Sequence, residues 1–128
     1  MILEAFARYL ESKNLGEVGV DLFCYYMPPK VPRGIMVMTP NDGILIDPEL
    51  KGYYQDIFPV MIRAENINLL NNLSERVLKE MDARDFEVDG VYFNFIRAAT
   101  FPSIYPQNNG GSFEAGFVVE FSCYFSSE

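Results

Sequence analysis

Apolar side chains recur at helical spacing where the chain begins. Ile2, Leu3, Phe6, Tyr9 and Leu10 share one face, and Glu4, Arg8 and Glu11 fall opposite. That period predicts an amphipathic helix over residues 2–14, supported by a Glu4/Arg8 pair one turn apart and ended by Asn14-Leu15-Gly16, where glycine takes the left-handed cap conformation. The run over residues 20–27, short, aromatic and closed by Pro28-Pro29, reads as a strand. Residues 35–39 read as another. Asn41-Asp42-Gly43, set between residues 35–38 and Ile44-Leu45-Ile46, signals a hairpin, because glycine takes positive φ cheaply and Asn or Asp tolerates it.

An extended stretch over residues 53–64 contains Pro59, which lacks a ladder donor and so predicts an edge position, a bulge or a break. A second helix follows over residues 67–81, with Ile67, Leu70, Leu73, Val77 and Met81 on one face and Asn66 as its N-cap. Asp89-Gly90 predicts a hairpin between residues 86–88 and 91–96, and residues 100–111 read as a connector. The clearest pattern comes last. Phe113, Ala115, Phe117, Val119, Phe121, Cys123 and Phe125 alternate with Glu114, Gly116, Val118, Glu120, Ser122 and Tyr124, which means one buried face and one largely wet one. Together these elements predict a single α+β domain spanning residues 1–128: an antiparallel or mixed sheet with two helices packed on one face.

Charge narrows the function. Ten Lys and Arg stand against 18 Asp and Glu, a formal net charge of −8. Affinity for a phosphate backbone comes mainly from clustered basic side chains, so the charge argues against tight nucleic-acid binding but not against DNA sliding past an acidic wall. The interleaved charges of the first residues predict neither a signal peptide nor a membrane span, hence no membrane partner and a protein folded in a reducing cytoplasm. Cys24 and Cys123 read by default as buried free thiols, with a disulfide between them as the alternative.

Histidine is absent, which removes the commonest general base and metal ligand. No CxxC pair and no phosphate-cradling glycine motif is present, so no catalytic residue, metal or cofactor is expected. Carboxylates do gather at Asp42, Asp47, Glu49 and Asp56. A solvated acidic loop is the plain reading of them, and a cation site or glycosidase-like pair the sharper one. Tyr25-Tyr26 and Tyr53-Tyr54 each place one ring inward and one outward if they lie in strands, and outward tyrosines suit either a protein interface or ordinary exposure. Lys30 and Arg33, in the proline-rich loop, are candidates to pair with acids of a neighbouring subunit, with plain solvation as the alternative. The candidate interface residues are therefore Lys30, Arg33, Asp42, Asp47, Glu49, Tyr53 and Tyr54.

The chain resembles the tail terminator proteins of long-tailed bacteriophages, also called tail completion or minor capsid proteins. The resemblance rests on the opening helix, the strand ending in Met27-Pro28-Pro29, the turn at Asn41-Asp42-Gly43, the segment over residues 58–64 running into the second helix, the late Phe101-Pro102 and the closing strand. It implies a structural subunit of the virion, at the head-proximal end of the tail, assembled in the host cytoplasm into a homo-oligomer, a hexameric ring. Such a ring sits on the tail tube protein, ends tube growth, and offers a head-side connector protein its joining surface, while DNA passes through the lumen without specific binding. A ring closes only through a heterologous contact, so two different surfaces of each subunit must be complementary. Two rival readings stay open: another head-tail connector or neck-ring component, and, from a different class, a small carboxylate-dependent enzyme.

Overall fold

The computed structural model describes residues 1–105 and 111–126. Helix α1 spans Ile2–Ser12 and buries Ile2, Leu3, Phe6, Tyr9 and Leu10, the face set by its apolar period. Its end differs from expectation. Asn14, not Gly16, takes the left-handed conformation (φ 61°), and the Leu15 and Asn14 N–H groups fold back onto the carbonyls of Leu10 and Glu11. Gly16 serves packing instead, since a Cβ there would press on Leu22 at 3.2 Å.

The strands are β1 Leu22–Cys24, β2 Gly34–Val37, β3 Tyr53–Ala64, β4 Asp82–Val88, β5 Val91–Ala98, β6 Ser103–Ile104 and β7 Phe113–Phe125, with helix α2 at Ile67–Lys79 between β3 and β4. They form one mixed sheet in the order β1-β2-β3-β7-β5-β4, and β6 adds to the part of β7 that β5 leaves free. Among the described strands β1 and β2 run parallel, and the other pairs are antiparallel.

Three expectations need correction. The strand over residues 20–27 shrinks to three residues, because Tyr25 turns the chain out of the sheet at φ 72° and Tyr26 follows it into solvent. The hairpin around Asn41-Asp42-Gly43 does not form. A turn is there, closed by Gly43 N–H to Pro40 C=O at 2.9 Å, but residues 44–46 pair with nothing in the sheet because β2 already has β1 on one edge and β3 on the other. Pro59 lies neither at an edge nor in a break of β3, which is central and unbroken in its ladder to β7. The Pro59 carbonyl accepts from Met38 N–H, so its own nitrogen faces the β2 side just where β2 ends, and the loss is confined to the one reciprocal bond to Met38 C=O beyond the last β2 pair.

Elsewhere the pattern holds. Asn66 caps α2, its side chain accepting from Leu69 N–H at 2.9 Å, and Leu70, Leu73 and Val77 are buried, while Ile67 stays partly exposed. Replacing Asn66 with Ala should cost about 1 kcal/mol in a urea unfolding experiment, the usual worth of a cap. Asp89 and Gly90 both take positive φ, 49° and 78°, as a tight hairpin turn requires. The expected connector over residues 100–111 carries the short strand β6, and its Asn108-Asn109-Gly110 part lies outside the described residues.

Both helices cover the face made by Ile35 and Val37, Phe58, Val60 and Ile62, and the alternate residues Ala115 to Cys123 of β7. Phe58 is the hub: its ring stacks on Phe6 of α1 at 4.5 Å and on Phe121 of β7 at 4.0 Å. Tyr9 stacks on Phe86 and donates its hydroxyl to the Glu80 carbonyl, and Arg76 of α2 donates to Asn14 C=O beyond α1. Cys123 is fully buried, and burial pushes its thiol up to about 12. Cys24 is half-buried; both thiols are free.

Candidate assembly surface

Among the described residues the opposite face of the sheet carries no helix, and what borders it divides the candidate residues into two groups. Asp42, Asp47, Glu49, Tyr53 and Tyr54 gather around the long loop between β2 and β3 and the first residues of β3. Lys30 and Arg33 sit beside the far end of β3, roughly 35 Å away at ~3.3 Å per strand residue.

At the first end, β2 ends at Val37, which pairs with Val60, so β3 loses its neighbour for residues 53–58. The loop bends around this uncovered edge. Asp56 fastens it there: one carboxylate oxygen accepts Leu45 N–H and the other Ile57 N–H, both at 2.9 Å. Asp47 accepts Glu49 N–H at 2.9 Å and Tyr53 N–H returns to Leu50 C=O, which shapes the stretch between them. Ile44 tucks toward the core, while Leu45, Ile46 and Leu50 project into solvent at 69%, 75% and 53% exposure. These apolar residues are what the sequence reading missed. The signal was present in Ile44-Leu45-Ile46, but it was assigned to a strand.

Two clefts flank the loop. One, about 540 Å³, lies over the uncovered edge and is lined by Leu45, Ile46, Leu50, Ile57 and the carboxylates of Asp47, Asp56 and Glu120. The other, about 410 Å³, lies on the helix side between the start of α1 and Tyr54, Ile44 and Phe125. Tyr53 and Tyr54 point to opposite faces, as strand alternation requires. Tyr53 shares a hydrogen bond with Ser122 on the open face, and Tyr54 meets Phe125 edge to face at 5.8 Å on the helix side. Tyr25 and Tyr26 do not share this alternation, since both lie beyond β1 and both are exposed.

At the second end, Lys30 is exposed, whereas Arg33 is already engaged: its guanidinium forms two bonds to Glu65, at 3.0 and 3.2 Å. That bidentate contact, with a smaller part from its own N–H, holds the Glu65 carboxyl below the usual carboxylate range. Glu11 is lowered as well, chiefly by accepting Val18 N–H and then by Arg8. A carboxyl lowered on folding contributes stability that is complete above its unfolded value of about 4.3 and disappears as pH falls through the folded value. The urea midpoint should therefore drop between pH 5 and pH 3, and Glu11→Gln should flatten that drop.

Eight of the 18 acidic residues gather in two places. Asp42, Asp47, Glu49 and Asp56 surround the loop with Lys51, and Asp82, Asp85 and Glu87 run along the outer strand β4 with Arg84, followed by Asp89 in the turn. The second group went unnoticed in the sequence because its members are scattered among apolar residues. Among the described residues no set of three or more Cys, Asp or Glu is placed to hold a metal ion, and no helix is long and apolar enough to cross a membrane. What the surface offers is unpaired backbone, exposed aliphatic side chains and negative charge.

Residues 9–125 match a family model described as bacteriophage tail terminator protein. No curated protein matches the chain. Among solved structures, one superposes with a TM-score of 0.57 over 99% of this chain and 93% of that one. At 11% identity it is a likeness of fold alone.

Proposed function

Since the chain belongs to the bacteriophage tail terminator family, with a structural role in the phage tail, we propose that it forms a ring, of six copies, on the head-proximal end of the tail tube. There it ends tube polymerisation and presents the surface that a head-side connector joins. Its partners are copies of itself, the tube protein and that connector, and it assembles in the host cytoplasm. The observation that carries this reading is the loop with Leu45, Ile46 and Leu50 exposed side by side, since a protein that works alone in water has little reason to display adjacent aliphatic side chains. The net charge of −8 suits a lumen through which DNA moves without being held.

The ring is tested by light scattering after size-exclusion chromatography, with negative-stain imaging of the same fractions and of tail tubes mixed with the protein. Six-membered rings with a central hole, free or on tube tips, are expected. A monomer at every concentration, with bare tube tips, would overturn the proposal.

A further inference from the structure

We infer that the uncovered edge of β3 at Gln55 receives an extended, basic segment of a different protein, which adds to the sheet as a further strand. The β3–β7 ladder runs without a register shift, and the Pro59 carbonyl faces β2. By alternation the backbone groups of Gln55 and Ile57 face the same way, into the space that β2 vacates. Ile57 N–H is occupied by Asp56, but no hydrogen bond among the described residues reaches Gln55 N–H, Gln55 C=O or Ile57 C=O. Such a row of donors and acceptors is a template for strand addition.

The cleft over this edge states the chemistry of its occupant. Asp47, Asp56 and Glu120 line it; Glu120 already pairs with Arg97 at 3.1 Å, so the negative charge left for a partner is that of Asp47 and Asp56, and Leu45, Ile46 and Leu50 form the apolar rim. An alternating strand with Lys or Arg on one side and aliphatic residues on the other is complementary to both. The outer strand β4 of a second copy is not. The other long edge, β4, is itself acidic at Asp82, Asp85 and Glu87, and Asp85 at φ 55° interrupts its line. This inference deepens the proposed tail role by giving the chemistry of one partner, and rests on it only for that partner being a tail protein.

The test uses the isolated chain and two synthetic strand-forming peptides of alternating Val and Thr, one carrying two lysines and the other two glutamates. In nitrogen–proton spectra the lysine peptide should shift the Gln55 and Ile57 amides, slow Gln55 amide exchange at least tenfold, and bind at least tenfold more tightly than the glutamate peptide. Gln55→Pro should abolish this binding. It should still fold, because the ring of Pro59 already faces the same side of β3, and its oligomeric state should equal that of the wild type. Equal binding of the two peptides, no binding of either, or loss of self-association in Gln55→Pro would each overturn the inference. Failure of wild-type protein to cap tubes would instead count against the tail role, and the peptide result would stand apart from it.

Discussion

Phe58→Ala should lower the unfolding free energy by about 3–5 kcal/mol, the range for emptying an aromatic site in a packed core. Phe58 is 0% exposed and lies between Phe6 and Phe121, with ring planes inclined by 14° and 7° to its neighbours. Its removal therefore breaks two ring contacts at once and loosens α1 from the two central strands. Against a total stability of roughly 5–15 kcal/mol for a domain of this kind, that is a large share. Phe58→Leu keeps much of the volume but neither stacking contact and should cost about 1–2 kcal/mol. Urea titrations of the three proteins measure both differences. An alanine cost below about 1 kcal/mol would mean that the stack is not the centre of the core.

The second large effect concerns Arg63. Its side chain and that of Glu114 are 11% and 17% exposed, and they meet at 3.0 Å on the face without helices. Arg63 also donates to the carbonyls of Pro28 and Val31, and so ties the proline-rich loop that carries Lys30 to the sheet. Arg63→Met strands a nearly buried carboxylate and leaves two loop carbonyls short of a donor, at an expected cost of about 3–5 kcal/mol. Replacing both partners, Arg63→Met with Glu114→Met, should recover part of that loss, because the unpaired charge disappears with its partner. A double-mutant cycle in urea is the check. Strictly additive losses would show that the pair is not coupled.

The strongest signals in the sequence were those set by a local rule that nothing distant overrides. β7 was legible because one strand carries alternate residues into a single core, and the cap at Asn66 and the turn at Asp89-Gly90 need only their own neighbours. The turn at Asn41-Asp42-Gly43 has the same chemistry as the later one, yet it makes no hairpin. The side of β2 that residues 44–46 would have used is taken by residues 60–63 of β3, whose Val60 and Ile62 reach the core. That competition depends on strand order, which a local reading does not contain. Pro59 shows the same limit, since its tolerance depends on where a neighbouring strand stops.

The candidate surface was legible in part for related reasons. Asp42, Asp47, Glu49, Tyr53 and Tyr54 lie together because they are close in sequence and flank one loop. The Arg33–Glu65 pair was not legible, because Glu65 lies a strand away and is brought alongside only by the β2–β3 pairing. The uncovered edge at Gln55 was hidden for the opposite reason: it exists because a strand ends early, and the residues it exposes look ordinary. Acidic β4 and the acidic loop lie along different edges of the sheet, so the negative charge is distributed around the subunit and not gathered on one face.

Closure of the growing end of a tail tube is tested by polymerising purified tube protein with and without this chain and measuring tube lengths by negative-stain microscopy. Substoichiometric amounts should arrest elongation and leave a ring at one end of each tube. Tubes of unchanged length, with no added density at either end, would contradict it.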